Sequence, residues 1–254
     1  MKAAEIHIRD GEQLRYSVTM NGEKKFENVY VIKIFPELRK AFLYTDSLVM
    51  KYTNHLLPDF YTNYSGFYEV SLGEATLLNS RTFISAEYLK EVMNADSAAD
   101  MLQEIHIDSE KNLAVVSQTS SENKSEKKSM ERIHLRGGYP VWDTVSAQFI
   151  GIRFMDIVKG GLFYVIIPPY IKEPLPCTIQ ILGRETVTTK AGSFKTLKLS
   201  FSISDPFLGR MIQVLNRQGS YFIWKEDSER GLLVKLDSQM MKIELEDIGI
   251  WKEK

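Results

Sequence analysis

The residues best suited to acid–base or metal chemistry in this sequence are its histidines, at positions 7, 55, 106 and 134. His106 has the most suggestive neighbours, because Glu104 and Asp108 lie two residues to either side of it. In a strand these three polar side chains would share one face, since successive side chains alternate between the two faces. The same alternation would bury Ile105 and Ile107 and leave the polar groups in water. We therefore interpret this segment as a solvated strand face rather than a metal site.

The single cysteine, Cys177, excludes an internal disulfide bond and a thiolate cluster for zinc or an iron–sulfur centre. It begins an alternating apolar face with Ile179 and Ile181, so we expect an inert thiol in the core. The sequence contains no glycine-rich phosphate loop of either standard spacing, no GxSxG segment and no HExxH segment. We therefore predict no cofactor, no metal and no catalytic residue.

Acidic residues near Trp224 raise the question of glycoside hydrolysis, because several of them follow it closely in sequence. That reaction requires two carboxyl groups at a set separation across a cleft, which a sequence cannot show. The aromatic segment Tyr221–Trp224 is more typical of a core strand, although Trp224 could line a sugar or lipid site. A hydrolase is the third of our functional hypotheses, and it requires a cleft in which His106 or His134 contacts an acid.

Alternation of apolar and polar residues predicts strands throughout the C-terminal half. The clearest cases are Leu197–Ile203, Leu232–Leu236 and Met241–Leu245. The turn-forming segments Lys190–Ser193 and Asp227–Gly231 separate these runs. Neighbouring strands are therefore expected to pair antiparallel.

The N-terminal half gives a weaker pattern. Leu14, Tyr16 and Val18 alternate with polar residues, and Asn21-Gly22 predicts a tight turn into a second strand. Residues 38–90 are rich in aromatic side chains and have no clean period, with a short helix suggested near Ser85, so the elements of residues 38–105 stay undefined. Residues 117–130 read SQTSSENKSEKKSM and predict a mobile polar loop, the solvated tip of a hairpin. Their lysines are offset by glutamates and they contain no aromatic residue, which disfavours a nucleic-acid arm.

One segment breaks the two-residue period. After Asp143, apolar residues at positions 145, 149, 152 and 155 are spaced for one face of a helix. Asp143 is suited to cap its beginning, and Gly160-Gly161 to end it. The predicted fold class is thus mainly β (α+β): a strongly curved antiparallel sheet or half-barrel, with one helix at about 143–158 packed on it.

Length and composition favour one domain over residues 1–254. The 254-residue chain is 44% hydrophobic, enough to build a sizeable core. Its 32 basic and 33 acidic residues nearly cancel, so no overall field favours nucleic acid or an anionic bilayer. The longest apolar runs are too short to cross a membrane as a helix. The first residues do not form a signal peptide, so we expect either a cytoplasmic protein or a mature form whose export signal has been removed.

Several segments resemble a family of bacterial exported proteins, the domain of unknown function 3108. Residues Gly11–Tyr16 read GEQLRY and are similar to its opening GExLxY strand. Asp143–Ala147, DTVSA, resembles its DxxSA entry to a helix, and GRETV at Gly183–Val187 followed by AGSF at Ala191–Phe194 resembles a family hairpin. The segment Tyr221–Leu236 resembles a further hairpin of the family, with Leu233 where proline is usual.

This resemblance implies a signal peptide in the precursor and a location in the periplasm or outer envelope. It also implies an open, curved sheet with a helix on its concave side, similar to lipoprotein carriers, and it supplies no catalytic residue. Our leading hypothesis is a non-enzymatic envelope protein that binds an apolar or lipid-like ligand in the concavity. A further reason is that strands such as Leu162–Ile167 are apolar on both faces, so that the second face must also be covered. The candidate ligand-binding residues are Tyr16, Phe149, Met155, Phe163 and Trp224.

The alternative hypothesis is a protein–protein interaction or assembly module of the envelope. Such a module would use sheet edges and the aromatic-rich segment 42–68 to contact an envelope protein. The sequence does not predict the identity of a ligand or the oligomeric state.

Overall fold

The computed structural model describes residues 9–20, 22–35, 40–54, 57–71, 76–84, 100–108, 110–122, 125–137, 139–143, 151–154, 161–166, 173–204, 221–238 and 241–250. Nearly all of these residues lie in strands. In chain order the strands are β1 (Glu12–Met20), β2 (Glu23–Phe35), β3 (Lys40–Asn54), β4 (Leu57–Ser71), β5 (Thr76–Ile84), β6 (Asp100–Asp108), β7 (Leu113–Glu122), β8 (Ser125–His134), β9 (Val141–Asp143), β10 (Gly161–Ile166), β11 (Leu175–Thr189), β12 (Gly192–Ile203), β13 (Tyr221–Glu226), β14 (Leu233–Asp237) and β15 (Met241–Ile250).

The strands form one hydrogen-bonded series in the order β8-β7-β6-β5-β4-β3-β2-β1-β15-β14-β13-β12-β11-β10-β9. Neighbours pair antiparallel, except that β9 runs parallel to β10. The first and last strands pair with each other in the middle of the series. The two outermost strands, β8 and β9, are not paired with each other, so the sheet is open.

Both ends of the series contribute to one hydrophobic core. The buried cluster contains Leu77 of β5 and Ile105 of β6, together with Trp142 of β9 and Leu245 of β15. In addition, β9 lies against β5, which is far from it in the order of strands. The sheet therefore curls so that one face encloses the core. We call this the inner face and define it by Tyr16 and the residues that share its side through the strand register.

The predicted strands of the C-terminal half are confirmed, but the predicted α+β fold class is wrong. The helix expected at about 143–158 is not seen: Asp143, its expected cap, is the last residue of strand β9. Within the described part of that interval there is a single helical turn, Ile152–Phe154. The described part of the chain buries its apolar side chains by strand pairing, as Val141 and Trp142 do beside β10. Residues 144–150 and 155–158 of the interval lie outside the described residues.

The polar run 117–130, predicted to be a loop, is largely strand. Strand β7 continues to Glu122 and β8 begins at Ser125, with regular pairing between them. Backbone pairing with β6 supports these polar residues, so the hairpin needs no apolar side chains at its end. The short helix suggested near Ser85 lies outside the described residues.

The β11–β12 hairpin bends over the outer face of the sheet. The register of its strands shifts between Ile181 and Gly183, which is typical of a β-bulge. Beyond this point, Lys190 at the hairpin turn contacts Glu246 of β15, with 2.6 Å between Nζ and Oε1. Lys24 of β2 contacts the same carboxylate at 3.3 Å. Glu246 thus joins three parts of the chain that are distant in sequence.

We predict that Glu246→Gln lowers the free energy of unfolding at pH 7 by on the order of 1 kcal/mol, because both surface ion pairs lose their anion. Burial alone would raise the pKa of Glu246, but the hydrogen bond from Lys190 and the charge of Lys24 outweigh it and hold the pKa below its usual value. A lowered pKa in the folded state stabilises the protein above the ordinary carboxyl pKa, and this stability is lost as the pH falls through the folded-state pKa.

The difference between wild type and Glu246→Gln should therefore shrink from pH 7 toward pH 3, as measured by urea unfolding at each pH. Glu244→Gln is the control, because it removes one surface ion pair on the same strand, to Lys242 at 2.8 Å. If the free energy of unfolding of Glu246→Gln were lower than that of the wild type by the same amount at every pH in this range, the lowered pKa of Glu246 would be contradicted.

Candidate functional site

A row of apolar side chains crosses the centre of the inner face from β1 to β11. Directly paired residues of successive strands form this central row: Val18, Ile243, Leu236, Ile223, Leu199 and Ile181. All but one of them are 2% exposed or less, whereas Ile181 is 40% exposed. The inner face is therefore closed along most of the row and opens to solvent at β11.

An aromatic row lies two residues beyond the central row on β12 and β13 and includes a residue of β10. It consists of Phe163, Phe201 and Tyr221. The ring centroids of Phe163 and Phe201 are 5.6 Å apart, and those of Phe201 and Tyr221 are 6.2 Å apart at an interplanar angle of 87°. Phe163 is buried, while Phe201 and Tyr221 are half-buried. This edge of the inner face thus offers aromatic surface that is partly accessible from outside.

A charged cluster lies on the opposite side of the central row. Arg153 forms a two-pronged ion pair with Glu12, with 2.5 Å from Nη1 to Oε1 and 3.2 Å from Nη2 to Oε2. Its Nε–H donates to the carbonyl oxygen of Arg230 at 2.9 Å. The side chains of Arg153 and Glu12 are only 2% and 4% exposed. Arg153 therefore joins β1, the helical turn at 152–154 and the connection between β13 and β14.

Two more polar groups belong to this cluster. Tyr16 is buried beside the ion pair, and its ring packs edge-on against Tyr30 with centroids 5.7 Å apart. Burial raises the pKa of Tyr16 well above its ordinary value; the charge of Arg153 opposes this shift and that of Glu12 adds to it. Lys225 is also buried, and it shares the inner face through its pairing with Leu197. We use the name charged cluster for Glu12, Tyr16, Arg153 and Lys225.

Gly231 allows the chain to pass close to the charged cluster. Its φ is +57°, in the left-handed region that favours glycine. A Cβ at this position would lie 2.8 Å from Cε of Lys225 and 3.4 Å from the backbone oxygen of Arg153. A larger residue here would strain the backbone and displace the end of the Lys225 side chain, so glycine suits this turn.

Polarity thus changes along the inner face of the C-terminal strands. In β13, Tyr221 of the aromatic row and Lys225 of the charged cluster are four residues apart, which corresponds to roughly 13 Å of strand. The apolar central row lies between them.

Two of the predicted ligand-binding residues share the inner face. Tyr16 lies at its charged end and Phe163 at its aromatic end, with the central row between them. Phe149 and Met155 are outside the described residues. Trp224 lies on the outer face, because it pairs with Lys198 and Lys235 rather than with residues of the core face.

Trp224 is covered by charged side chains on the outer face. The Nζ atoms of Lys198 and Lys235 lie 5.1 Å and 4.5 Å from the centroids of its rings. Its indole N–H donates a hydrogen bond to Glu185, which is the main cause of a lowered pKa at that carboxylate. These cation–π contacts and this hydrogen bond account for the low exposure of Trp224. The structure therefore separates Trp224 from Tyr16 and Phe163.

The interpretation of Cys177 as an inert core thiol is confirmed. The side chain is buried, and its Sγ lies 3.6 Å from the backbone oxygen of Leu175. Burial raises the pKa of the thiol to about 12. Because the thiolate is the nucleophilic form, Cys177 has little reactivity at neutral pH.

The His106 segment is also a solvated strand face, as predicted. Ile105 and Ile107 are buried and His106 is exposed. Nδ1 of His106 contacts Oδ1 of Asn79, and Nδ2 of Asn79 donates to Glu69 at 2.8 Å. Among the described residues, no group of three or more His, Cys, Asp and Glu side chains is arranged to hold a metal ion.

Sequence reasoning did not identify two residues of the inner face. The first is Arg153, which could have been noticed as the one charge within the apolar run Ile150–Met155.

The second residue is Trp142, which pairs with Val165 beside the aromatic row and is fully buried. Within the part of the chain that the structure describes, its indole nitrogen has no hydrogen-bond partner. A buried donor of this kind is uncommon, and a ligand oxygen could satisfy it.

Comparisons with known proteins identify a solved structure with a similar fold but do not assign the chain to a family. No protein-family model matches the chain, and no curated protein matches it. A solved structure of a β-barrel-like protein of domain of unknown function 1849 from Brucella abortus is similar, with a TM-score of 0.57 and 10% identity over 97% of this chain and 100% of that one. At this identity the similarity shows a common fold alone.

Two further solved structures are more distant. One is described as a candidate exported protein with a YmcC-like fold from Bacteroides fragilis, with a TM-score of 0.37 and 11% identity over 97% of this chain and 99% of that one. The other is described as a candidate lipoprotein from Parabacteroides distasonis, with a TM-score of 0.33 and 10% identity over the same shares. We infer nothing from likenesses this low. In the described residues, no helix combines the length and the apolar character needed to span a membrane.

The buried ion pair between Glu12 and Arg153 is expected to be strongly non-additive. Either Glu12→Gln or Arg153→Met leaves one buried charge without its counter-charge and should cost about 3–5 kcal/mol. The double substitution removes both charges, so its cost should be well below the sum of the two single costs. Urea unfolding of the wild type and the three variants measures this difference.

Asp227→Asn is the matched control, because it removes an exposed pair in which Arg184 Nε lies 2.8 Å from Asp227 Oδ2. Its cost should be below about 1 kcal/mol. Additive single substitutions, or a Glu12→Gln cost as small as that of the control, would contradict a central structural role for the buried pair.

Proposed function

We propose that this is a non-enzymatic protein that binds an amphiphilic, lipid-like ligand at the aromatic row of its inner face. The observation that carries the proposal is the partly exposed aromatic surface of Phe201 and Tyr221, on the same face as the exposed side chain of Ile181. This surface lies at the place where an open, curled sheet gives solvent access to its core face. Sites for apolar ligands are typically concave and lined by aromatic and aliphatic side chains.

Trp142 adds a requirement on the chemistry of the ligand. Its buried indole N–H lies on β9, next to strand β10, which carries Phe163. A carbonyl, ester or hydroxyl oxygen near one end of the ligand would accept this hydrogen bond. A pure hydrocarbon would leave the donor unsatisfied, at a cost of about 1–3 kcal/mol. The proposed ligand is therefore an acyl or prenyl lipid with an oxygen-containing head group.

The size of the surface sets the scale of the affinity. Each buried methylene group contributes about 0.8 kcal/mol, so eight of them contribute roughly 6 kcal/mol before the cost of immobilising the ligand. That gross energy corresponds to a dissociation constant on the order of ten micromolar or weaker. A chain long enough to cover both the aromatic row and Ile181 would bind more tightly. We therefore expect long-chain ligands to be preferred over short ones.

The experiment compares two adjacent exposed apolar residues. Ile181→Asp places a charge on the inner face beside the aromatic row, whereas Leu182→Asp changes the next residue, at the register shift. Both side chains are exposed, at 40% and 51%, so neither substitution buries a charge. Ile181→Asp should weaken the binding of a fluorescent long-chain fatty acid by about tenfold or more, while Leu182→Asp leaves it within about twofold.

Native mass spectrometry of protein purified from its own cells should show a bound lipid in the wild type and in Leu182→Asp. The proposal would be contradicted if Ile181→Asp carried as much bound lipid as the wild type. It would also be contradicted if the wild-type protein were free of lipid and did not bind the fluorescent acid. Circular dichroism of all three proteins checks that the fold is retained.

We also propose that the protein acts outside the cytoplasm, in the periplasm or outer envelope. The support is the order of segments that resemble exported proteins, from Gly11–Tyr16 to Tyr221–Leu236. Fractionation of the native cells by osmotic shock, followed by immunodetection, should recover the protein outside the cytoplasmic fraction. Recovery together with a cytoplasmic marker enzyme would refute this location, and it would leave the ligand experiment unaffected.

A further inference from the structure

Strand β8 is one edge of the sheet. Among the described strands it pairs only with β7. Side chains near its centre are open to solvent on both faces: Ser129 is exposed and Met130 is 67% exposed. An edge strand of this length presents a row of backbone groups on which another strand can pair.

The direction of these backbone groups follows from the pairing with β7. The register is regular from Glu122 opposite Ser125 to Leu113 opposite His134. One step beyond it, the backbone N–H of Leu135 donates to the oxygen of Asn112 at 2.8 Å. Since hydrogen-bonded and non-hydrogen-bonded pairs alternate in an antiparallel ladder, the odd-numbered residues of β8 bond toward β7. The even-numbered residues direct their N–H and C=O groups toward the edge.

The sequence of β8 is complementary to itself in charge. In an antiparallel pair with a second copy of β8, Ser129 of each copy can lie opposite Ser129 of the other. Position 126, a glutamate, is then opposite Arg132, and position 127, a lysine, is opposite Glu131. Each of these pairs occurs twice because of the two-fold symmetry, and no like charges lie opposite each other. Even-numbered residues also lie opposite even-numbered residues, as the backbone hydrogen bonds require.

Other symmetric registers are unfavourable. Centring the pair on Lys128 or on Lys127 places a lysine opposite itself, and centring it on Glu131 does the same for a glutamate. Centring it on Met130 places Lys128 opposite Arg132. Like charges directly opposite one another destabilise a strand pair. A shift by one residue instead places even-numbered residues opposite odd-numbered ones, which breaks the hydrogen-bond pattern.

We propose that two copies of this chain associate through antiparallel pairing of their β8 strands, centred on Ser129. The sheet then continues from one protomer into the other. The interface is isologous, as in most homodimers. Charged residues on an edge strand often serve only to prevent association, and in that case the protein would be monomeric. A strand whose charges match a second copy of itself in the hydrogen-bonding register favours pairing.

The first test uses charge reversal and mixing. Lys127→Glu places the new carboxylate of each copy opposite Glu131 of the other, and Glu131→Lys places lysines opposite each other. Each variant alone should dimerise more weakly than the wild type, by at least about tenfold in dissociation constant, because two attractive pairs become repulsive. An equimolar mixture of the two variants restores opposite charges in both pairs and should dimerise as the wild type does. Sedimentation equilibrium over a range of concentrations measures all four samples.

The second test traps the register covalently. Ser129→Cys brings the two thiols opposite each other in a non-hydrogen-bonded pair, at a Cα separation of about 4.5 Å that suits a disulfide. Mild oxidation should therefore produce a cross-linked dimer. Ser125→Cys is the matched control, since the two introduced thiols would be eight residues out of register and should not cross-link. The native Cys177 is buried and does not contribute.

Wild-type protein that stays monomeric at all concentrations up to about 1 mM would overturn the proposal. A dimer that is unaffected by Lys127→Glu, or that cross-links equally at positions 125 and 129, would also overturn it. So would the isolation of a different protein paired with β8 in a complex that contains a single copy of this chain. Melting curves followed by circular dichroism confirm that the variants are folded.

Discussion

The structure depends on one constraint: strands from distant parts of a long open series bury one of their faces against a shared core. The alternation of side chains along a strand makes this possible, because it assigns apolar residues to one side and polar residues to the other. The central row from Val18 to Leu199 shows the result, with consecutive paired residues almost completely buried across neighbouring strands. A shift of register by one residue in any of these strands would move its apolar residues to the solvent side. Beside the register shift between Ile181 and Gly183, the apolar side chain of Ile181 is 40% exposed.

The charged cluster is the exception to an apolar inner face. Two buried, opposite charges cost free energy to remove from water, and this cost is offset only when their geometry is good. Arg153 meets this condition through its two contacts to Glu12 and a third to the carbonyl oxygen of Arg230. The pair joins residues that are 141 positions apart in sequence. It therefore selects one way of placing the helical turn at 152–154 on the sheet, a degree of specificity that apolar packing alone provides less well.

The two faces of the sheet suggest different roles. The inner face combines apolar and aromatic surface with buried charges, and it carries the proposed ligand site. The outer face carries ion pairs and the cation–π contacts of Trp224, which need no ligand to account for them. The edge at β8 is a third surface, defined by backbone groups and by the order of its charges. The β-barrel-like protein of unknown function shares this fold at 10% identity. A shared fold at this identity does not indicate the chemistry of any of the three surfaces, which must be argued from the residues of this chain.

Local patterns in the sequence were sufficient for several conclusions: the C-terminal strands and their turns, the inert Cys177 and the solvated face around His106. These properties depend on neighbours within a few residues, and so a period of two reveals them. The pairing of β1 with β15, the separation of Trp224 from the inner face and the contact of Glu12 with Arg153 depend on residues far apart in the chain. The predicted α+β class was wrong for the same reason, because described apolar residues such as Val141 and Trp142 are buried by strand pairing beside β10. Tertiary structure alone decided these features, because burial against distant strands outweighs the small free energies of local capping and propensity.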